Sequence, residues 1–425
     1  MVVGTIIGAS IFVQPSLVSG AVPSVTGVLL VWAAAGALTL IGALITAELS
    51  SAFPHTGGVY VFLKRAYSPA VAYLWGWAMF WVMHSGIIAA IATVFARYLG
   101  HFVDLGDTGT RAAAVGAILV LSVVNYLGVR HGSALQTFFT VVKLVAVVIV
   151  VVFGVVFVAA HDGPSPAAVE MRHPTFGAVI EAMIAGLFAY GGWHMVTYAA
   201  EETMNPARTI PRALMLGTII VTVAYIAVNA SYLAVLPLET VTSSTRVAAD
   251  FADAVLGHGG GNALSVLVIL STLGGMTGII LSGPRVYLAM AQDGLLFRWA
   301  GAIHPRYRTP YIAIALQAVW SSVLVLTGSY RAMFTRVVYT EWIFFALMAA
   351  SLYFLRRRQD YAPAYRVWGF PILPGIFVLS SAAIVLNQIV RQPVESVTGL
   401  AIVAAGLPVY WVWTARRQSS DKLPS

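Results

Sequence analysis

A chain of 425 residues that is 59% hydrophobic and 9% charged, with a mean hydropathy of +0.86, has too few charges to cover a water-soluble surface. That excludes a cytosolic globular enzyme, a disordered chain and an ordinary nucleic-acid binder, and leaves a polytopic all-helical membrane protein. The net charge of +8 reads as membrane topology and attraction to anionic lipid rather than a nucleic-acid partner, and the absence of cysteine excludes disulfides, thiolate metal sites and a disulfide-linked subunit.

Twelve apolar runs follow in order: 2–20, 27–50, 70–98, 112–129, 136–160, 177–200, 212–236, 263–291, 311–329, 334–355, 370–390 and 396–415. Each is near or above the ~20 residues that a helix needs to cross the bilayer core. Polar, Gly and Pro clusters separate them, such as Pro54-His55-Thr56-Gly57-Gly58 and Asn205-Pro206. Met1 opens directly into an apolar run without a basic leader. The few residues before Gly8 cover less than half a bilayer at ~1.5 Å per residue, so further sequence upstream of Met1 is expected.

Alternation of the spans puts Lys64, Arg65, Arg285, Arg356 and most other basic residues on the side of the N-terminus. Arg97, Arg111, Arg172, Arg246, Arg331, Arg336 and Arg391 fall on the other side, and Lys143 falls within a span. The bias predicts a multi-pass plasma-membrane protein with an even number of spans and both termini cytoplasmic. Thr209 and Pro211 suit the start of the seventh span.

Two spans contain clustered small residues. The first reads Val3-Gly4-Thr5-Ile6-Ile7-Gly8-Ala9-Ser10-Ile11-Phe12, and the sixth reads Phe188-Ala189-Tyr190-Gly191-Gly192-Trp193-His194. Taken singly, each fits close helix packing. At matching positions of two five-span repeats, they point to unwound helices that bind a small solute at midplane. Unwinding frees N–H groups for a carboxylate and C=O groups for an ammonium, and a zwitterionic amino acid carries both.

These residues carry a resemblance that runs over nearly the whole chain. The first span, Ala47-Glu48-Leu49, Gly57-Gly58-Val59-Tyr60, Phe188 to Trp193, Glu201-Glu202, Asn205-Pro206 and Ile210-Pro211 resemble the L-type amino acid transporter family of the amino acid–polyamine–organocation superfamily. Gln136-Thr137 with Thr140 to Lys143, Ala291 to Gly294 and His304-Pro305 fit the same pattern. The resemblance implies one transmembrane domain over 1–425. About twelve helices form it, with inverted five-helix repeats at about 1–160 and 177–355 and extra helices at about 370–415. It also implies alternating access around a midplane site.

Gly8, Ala9 and Ser10 match a family Gly-Ser-Gly turn whose amides hold the substrate carboxylate, but here Ala replaces Ser and Ser replaces the second Gly. Ile6 and Ile11 flank that turn among the expected substrate contacts. Phe188 matches the aromatic outer gate, with Ala189, Gly191 and His194 beside the substrate, whereas Trp193 is expected to pack. Lys143 resembles a stand-in for a sodium ion that bridges helices one, five and eight, which implies sodium-independent transport. An unpaired ammonium at that depth costs several kcal/mol, so Lys143 must meet broken-helix carbonyls and a hydroxyl or lose its proton. Ser282, or Ser271 with Thr272, is its expected partner.

Glu341 is expected to pair with Arg336 or with another helix, or to carry protons. Glu201 and Glu202, which end the sixth span among Arg208 and Arg212, are expected to form inner-gate or loop salt bridges. Glu181 sits near the outer end of the sixth span, and His84 is expected to pack in the third. No GxxxxGK[ST], HExxH or clustered metal-ligand set appears, so no cofactor, metal or ATP-driven step is expected. The function implied is sodium-independent exchange of neutral L-amino acids, with proton symport as the alternative. Readings from other classes are a non-transporting amino acid sensor and a membrane-embedded enzyme built on His194, Glu341 and Lys143. The oligomeric state stays open.

Overall fold

A computed structural model of the chain describes residues 2–8, 10–161, 174–257, 259–328 and 330–420. Ala9, His258, Arg172 and Lys422 lie outside these bounds, as do the side chains of Arg130, Arg331, Arg416 and Arg417.

Among the described residues the elements are helices, and ten are long and apolar enough to cross a membrane. The ninth helix, Tyr311–Thr327, is shorter, and the first is broken, which brings the bundle to twelve. The third and eighth helices, Pro69–Leu99 and Gly260–Gln292, have 78% and 72% of their most apolar stretch buried, against 11% for the twelfth, Pro393–Ala415. The third and eighth therefore form the centre, and the twelfth lies at the rim. Leu379, Leu386, Val120 and Val155 project outward from other helices, as side chains facing lipid do.

Local chemistry fixes the helix starts. Ser24 accepts a bond from the Gly27 amide at 3.0 Å and opens the second helix, Val25–Ala52. Thr175 caps the sixth through the Ala178 amide at 3.3 Å. The seventh, Pro206–Val235, begins earlier than the sequence suggested. Asn205 adopts the left-handed region at φ 48, and Pro206 takes the first helical position, where its missing N–H costs nothing. Thr209 bonds back to the Met204 carbonyl instead of capping, and Pro211 falls inside the helix. Three short helices, Val59–Ala66, Leu238–Ser243 and Val247–Leu256, occupy stretches that read as loops. Each is too short to give a spanning signal.

The first helix packs on the sixth, the second on the seventh, the third on the eighth and the fourth, Gly106–Tyr126, on the ninth. Each of these meets the helix five positions further along the chain. Polar links define two opposite faces. One carries Glu48–Arg356, Lys64–Asp293 and Glu202–Arg285. The other carries Arg336–Glu395 and a 2.6 Å contact between His101 and Asn262.

Candidate substrate site at two interrupted helices

The first helix runs Val2–Ile6, breaks, makes a turn at Ser10–Phe12 and resumes as Gln14–Ala21. The sixth runs Phe176–Ala189, turns through 190–192 and continues as a tighter helix, Trp193–Glu202. The two breaks touch. Gly192 has φ +94, and a Cβ there would stand 2.8 Å from the Thr5 carbonyl oxygen, so only glycine lets the backbones meet.

A broken helix must satisfy the carbonyls at its new end. Here other helices supply the donors. Lys143 of the fifth helix, Val129–Ala160, donates to the Gly4 carbonyl at 3.0 Å. The Tyr225 hydroxyl of the seventh lies 3.1 Å from both the Ile6 and the Ala189 carbonyls, so one side chain ties the two breaks together. The residues that open the following turns, Ser10 to Phe12 and Trp193 with His194, have N–H groups that their own helices cannot bond.

Lys143 is 1% exposed. It reaches the first helix past glycines of the eighth: a Cβ on Gly274 would lie 2.2 Å from the Phe139 Cβ and 3.1 Å from the Lys143 Cε. The expected hydroxyl contact is absent among the described residues. Ser282 bonds the Ile279 carbonyl of its own helix at 3.3 Å and touches the Met195 sulfur at 3.8 Å, while Thr272 bonds Ile269. Ser271 Oγ has no hydrogen-bond partner. The reason is geometric, because the eighth helix turns glycines, not hydroxyls, toward the ammonium.

A cavity lies between the breaks. The first helix contributes Thr5, Ile6, Gly8 and Ser10, and the sixth contributes Leu187, Phe188, Gly191, Gly192, Trp193 and Met195. The remaining walls are Ile87 and Ile91 of the third helix, Gly275 and Ile279 of the eighth, and Val337, Val338, Glu341, Trp342 and Phe345 of the tenth, Tyr330–Leu355. Its volume is about 40 Å³, far below the ~300 Å³ or more of an open ligand pocket. The structure therefore shows the site closed, and entry of a solute needs the half-helices to move.

Of the residues singled out in the sequence, Ile6, Gly8, Ser10, Phe188, Gly191 and Glu341 line this cavity; Ile11, Ala189 and His194 do not. Ala9 is outside the described residues. His194 is fully buried and turned into a ring cluster, with centroids 4.9 Å from Phe345, 5.4 Å from Trp193, 5.5 Å from Tyr198 and 6.0 Å from Trp75. Trp193 is on the cavity wall instead. In a helix of about three residues per turn, adjacent side chains point ~120° apart, so a shift of one residue exchanges wall and packing. Sequence reasoning missed Tyr225 and, apart from Glu341, the tenth-helix wall, for which no local signal exists. The Gly274-Gly275 pair was a readable sign of close approach at the eighth helix.

Glu341 does not pair with Arg336, because Arg336 points to the opposite end of its helix and binds Glu395 of the twelfth. Glu181 lies near Arg391 on the wall of a separate cavity of about 340 Å³ at the Arg336 face. His84 is fully buried, 5.8 Å from the Tyr198 ring.

At the Arg356 face, ion pairs close the way to the cavity. Arg285 of the eighth helix holds Glu202 at the end of the sixth through two bonds of 2.7 and 2.8 Å. Glu201 contacts His55 at 3.2 Å. Arg208 and Arg212 are thus not the partners, since the seventh helix carries them away from the eighth. Tyr60 donates to Asp293 at 2.6 Å, and Lys64 pairs with the same carboxylate at 2.6 Å. Burial first, and then Asp293, hold the Tyr60 phenol well above its usual range, so it stays a donor.

These latches make a prediction. The chain contains no cysteine, so a single Ser282→Cys is a clean reporter one turn before Arg285. Adding Arg285→Ala should raise the rate of maleimide labelling at position 282 severalfold. An unchanged rate would reject a gating role for the pair.

The architecture defines a multi-pass helical membrane carrier whose two interrupted helices meet at a buried site. The family model for amino acid permeases matches residues 1–413, and the chain belongs to that family. It is 31% identical to the serine/threonine exchanger SteT of Bacillus subtilis (strain 168) over 433 residues, covering 99% of this chain and 96% of that protein. It is also 31% identical to the human b(0,+)-type amino acid transporter 1 over 421 residues, covering 97% and 86% of the two chains. Against the human large neutral amino acids transporter small subunit 2, the identity is 29% over 420 residues, covering 97% and 78%.

Proposed function

We propose that this protein exchanges L-amino acids across a membrane by alternating access, without sodium. The observation that carries the reading is the meeting of the two helix breaks at Thr5 and Gly192, with Gly8, Ser10, Gly191 and Phe188 on the wall of one cavity. In this reading the amides around Gly8 and Ser10 hold the substrate carboxylate, and exposed carbonyls near the breaks take its ammonium. Lys143 supplies a fixed positive charge at the Gly4 carbonyl, where other carriers of this architecture would need a cation. Similarity to an exchanger over nearly the whole chain supports exchange rather than uniport.

The structural units are the repeats at about 1–160 and 177–355, with 370–415 as a peripheral pair. Contacts between helices five positions apart support this division. The excess of Lys and Arg on the Arg356 side supports placing that face and both termini in the cytoplasm of a cell bounded by a plasma membrane. The Arg285–Glu202 latch is then the inner gate, and Phe188 the lid on the outer side. With no cysteine in its sequence, the chain works without a disulfide-linked subunit.

The test is uptake of radiolabelled amino acids into sodium-free proteoliposomes. Uptake is expected only into vesicles preloaded with amino acid. Uptake into empty vesicles driven by a pH gradient would replace exchange with proton symport. In the same assay Phe188→Ala should raise KM about tenfold through loss of its apolar contact; an unchanged KM would remove Phe188 from the site.

A further inference from the structure

Glu341 makes no ion pair among the described residues. It is 5% exposed, it lines the cavity between the helix breaks, and its Oε1 has no hydrogen-bond partner among the described residues. The neighbouring cations are engaged elsewhere. Arg336 holds Glu395, Arg285 holds Glu202, and Lys143 holds the Gly4 carbonyl.

The Oε1 of this buried carboxylate is unsatisfied in either form. Ionised, it lacks a counter-charge, which is costly within a membrane. Protonated on its other oxygen, it still leaves Oε1 without a donor. A water molecule would supply a hydrogen bond but no charge. A cationic donor carried by the ligand would supply both the hydrogen bond and the charge.

The cavity lining describes that ligand. One wall is the opened backbone at Gly8, Ser10, Gly191 and Gly192, suited to the α-carboxylate and α-ammonium. The lining also includes the aliphatic side chains of Ile87, Ile91, Val337 and Val338, and it holds Glu341 together with Trp342 and Phe345 of the same helix. A run of methylenes would suit the aliphatic lining, and a terminal cation would meet the one carboxylate of that lining. We infer that the site selects amino acids with a linear cationic side chain, such as lysine or ornithine, and that Glu341 binds the side-chain ammonium. This deepens the exchange reading and rests on it.

The experiment compares L-lysine with L-norleucine, in which a methyl group takes the place of the terminal ammonium. Purified full-length protein is reconstituted and preloaded with a mixture of amino acids, and each compound competes against labelled exchange. Wild type is expected to prefer lysine by at least about tenfold, the worth of a charge-assisted hydrogen bond. Glu341→Gln should collapse that preference to about threefold or less, and Glu341→Asp should keep most of it. The wild-type comparison stands even if a variant fails to fold. Equal or better competition by norleucine would overturn the inference, as would exchange of serine or threonine with neither compound competing, and both results leave amino acid exchange intact. Exchange of no amino acid at all would instead overturn the exchange reading and this inference with it.

Discussion

Lys143→Ala should lower exchange by about 10- to 100-fold while the protein still runs as a single folded species in detergent. The ammonium is buried and donates to the carbonyl of Gly4, in the last turn before the first helix breaks. Removing it leaves that carbonyl without its donor and the break without its positive charge. Alanine also opens a space against Gly274 and Phe139. Lys143→Arg should fail as well. The lysine stem packs closely on Gly274, where a Cβ would stand 3.1 Å from its Cε, and a broader planar guanidinium does not replace it. Exchange at the wild-type rate by the alanine variant would eliminate the fixed-cation role. Its cause differs from that of the Glu341 variants, which change selectivity between side chains.

The second large effect concerns stability. Arg356→Ala should cost about 3–5 kcal/mol, read as a lower unfolding midpoint in detergent. Glu48 at the end of the second helix is fully buried. It receives two bonds from Arg356, of 2.9 and 2.6 Å, one from the Tyr361 hydroxyl at 3.2 Å and one from the Val367 amide at 2.6 Å. Burial first, and then the Glu48 carboxylate, hold the Tyr361 phenol well above its usual range, which keeps it a donor. Loss of the arginine strands a buried carboxylate whose remaining donors are neutral. Arg358→Ala is the control, because Arg358 and Asp360 form an exposed pair at 3.3 Å of the kind worth about 0–1 kcal/mol. The double variant Glu48→Gln with Arg356→Ala should recover much of the loss, since it removes both charges. Equal stability of the Arg356→Ala and Arg358→Ala variants would show that the buried network does not hold the second helix to the tenth.

Much of the site was readable one helix at a time. The clustered small residues at Gly4 to Ser10 and at Gly191-Gly192 marked both interruptions, because unwinding leaves a compositional trace in the segment that unwinds. Lys143 stood out because a lone Lys in an apolar span is costly and must have a partner. Which partner it has was not readable. The hydroxyls of Ser271, Thr272 and Ser282 were all eligible, and the structure brings Gly274 and Gly275 to the ammonium instead. The same limit separated Glu341 from Arg336 and assigned Arg285 to Glu202.

The sequence by itself determined the membrane class, the twelve spans, the two break points and the family, because hydropathy, glycine content and charge bias are properties of a segment alone. Only the tertiary structure decided which side of each helix faces the cavity. It put Trp193 on the wall and His194 in the ring cluster, brought Tyr225 to both broken ends, and left the Glu341 Oε1 without a hydrogen-bond partner among the described residues. The physical reason is rotation. Each residue turns the side-chain direction by ~100° in an α-helix and ~120° in the tighter form, and the packing of neighbouring helices sets that angle.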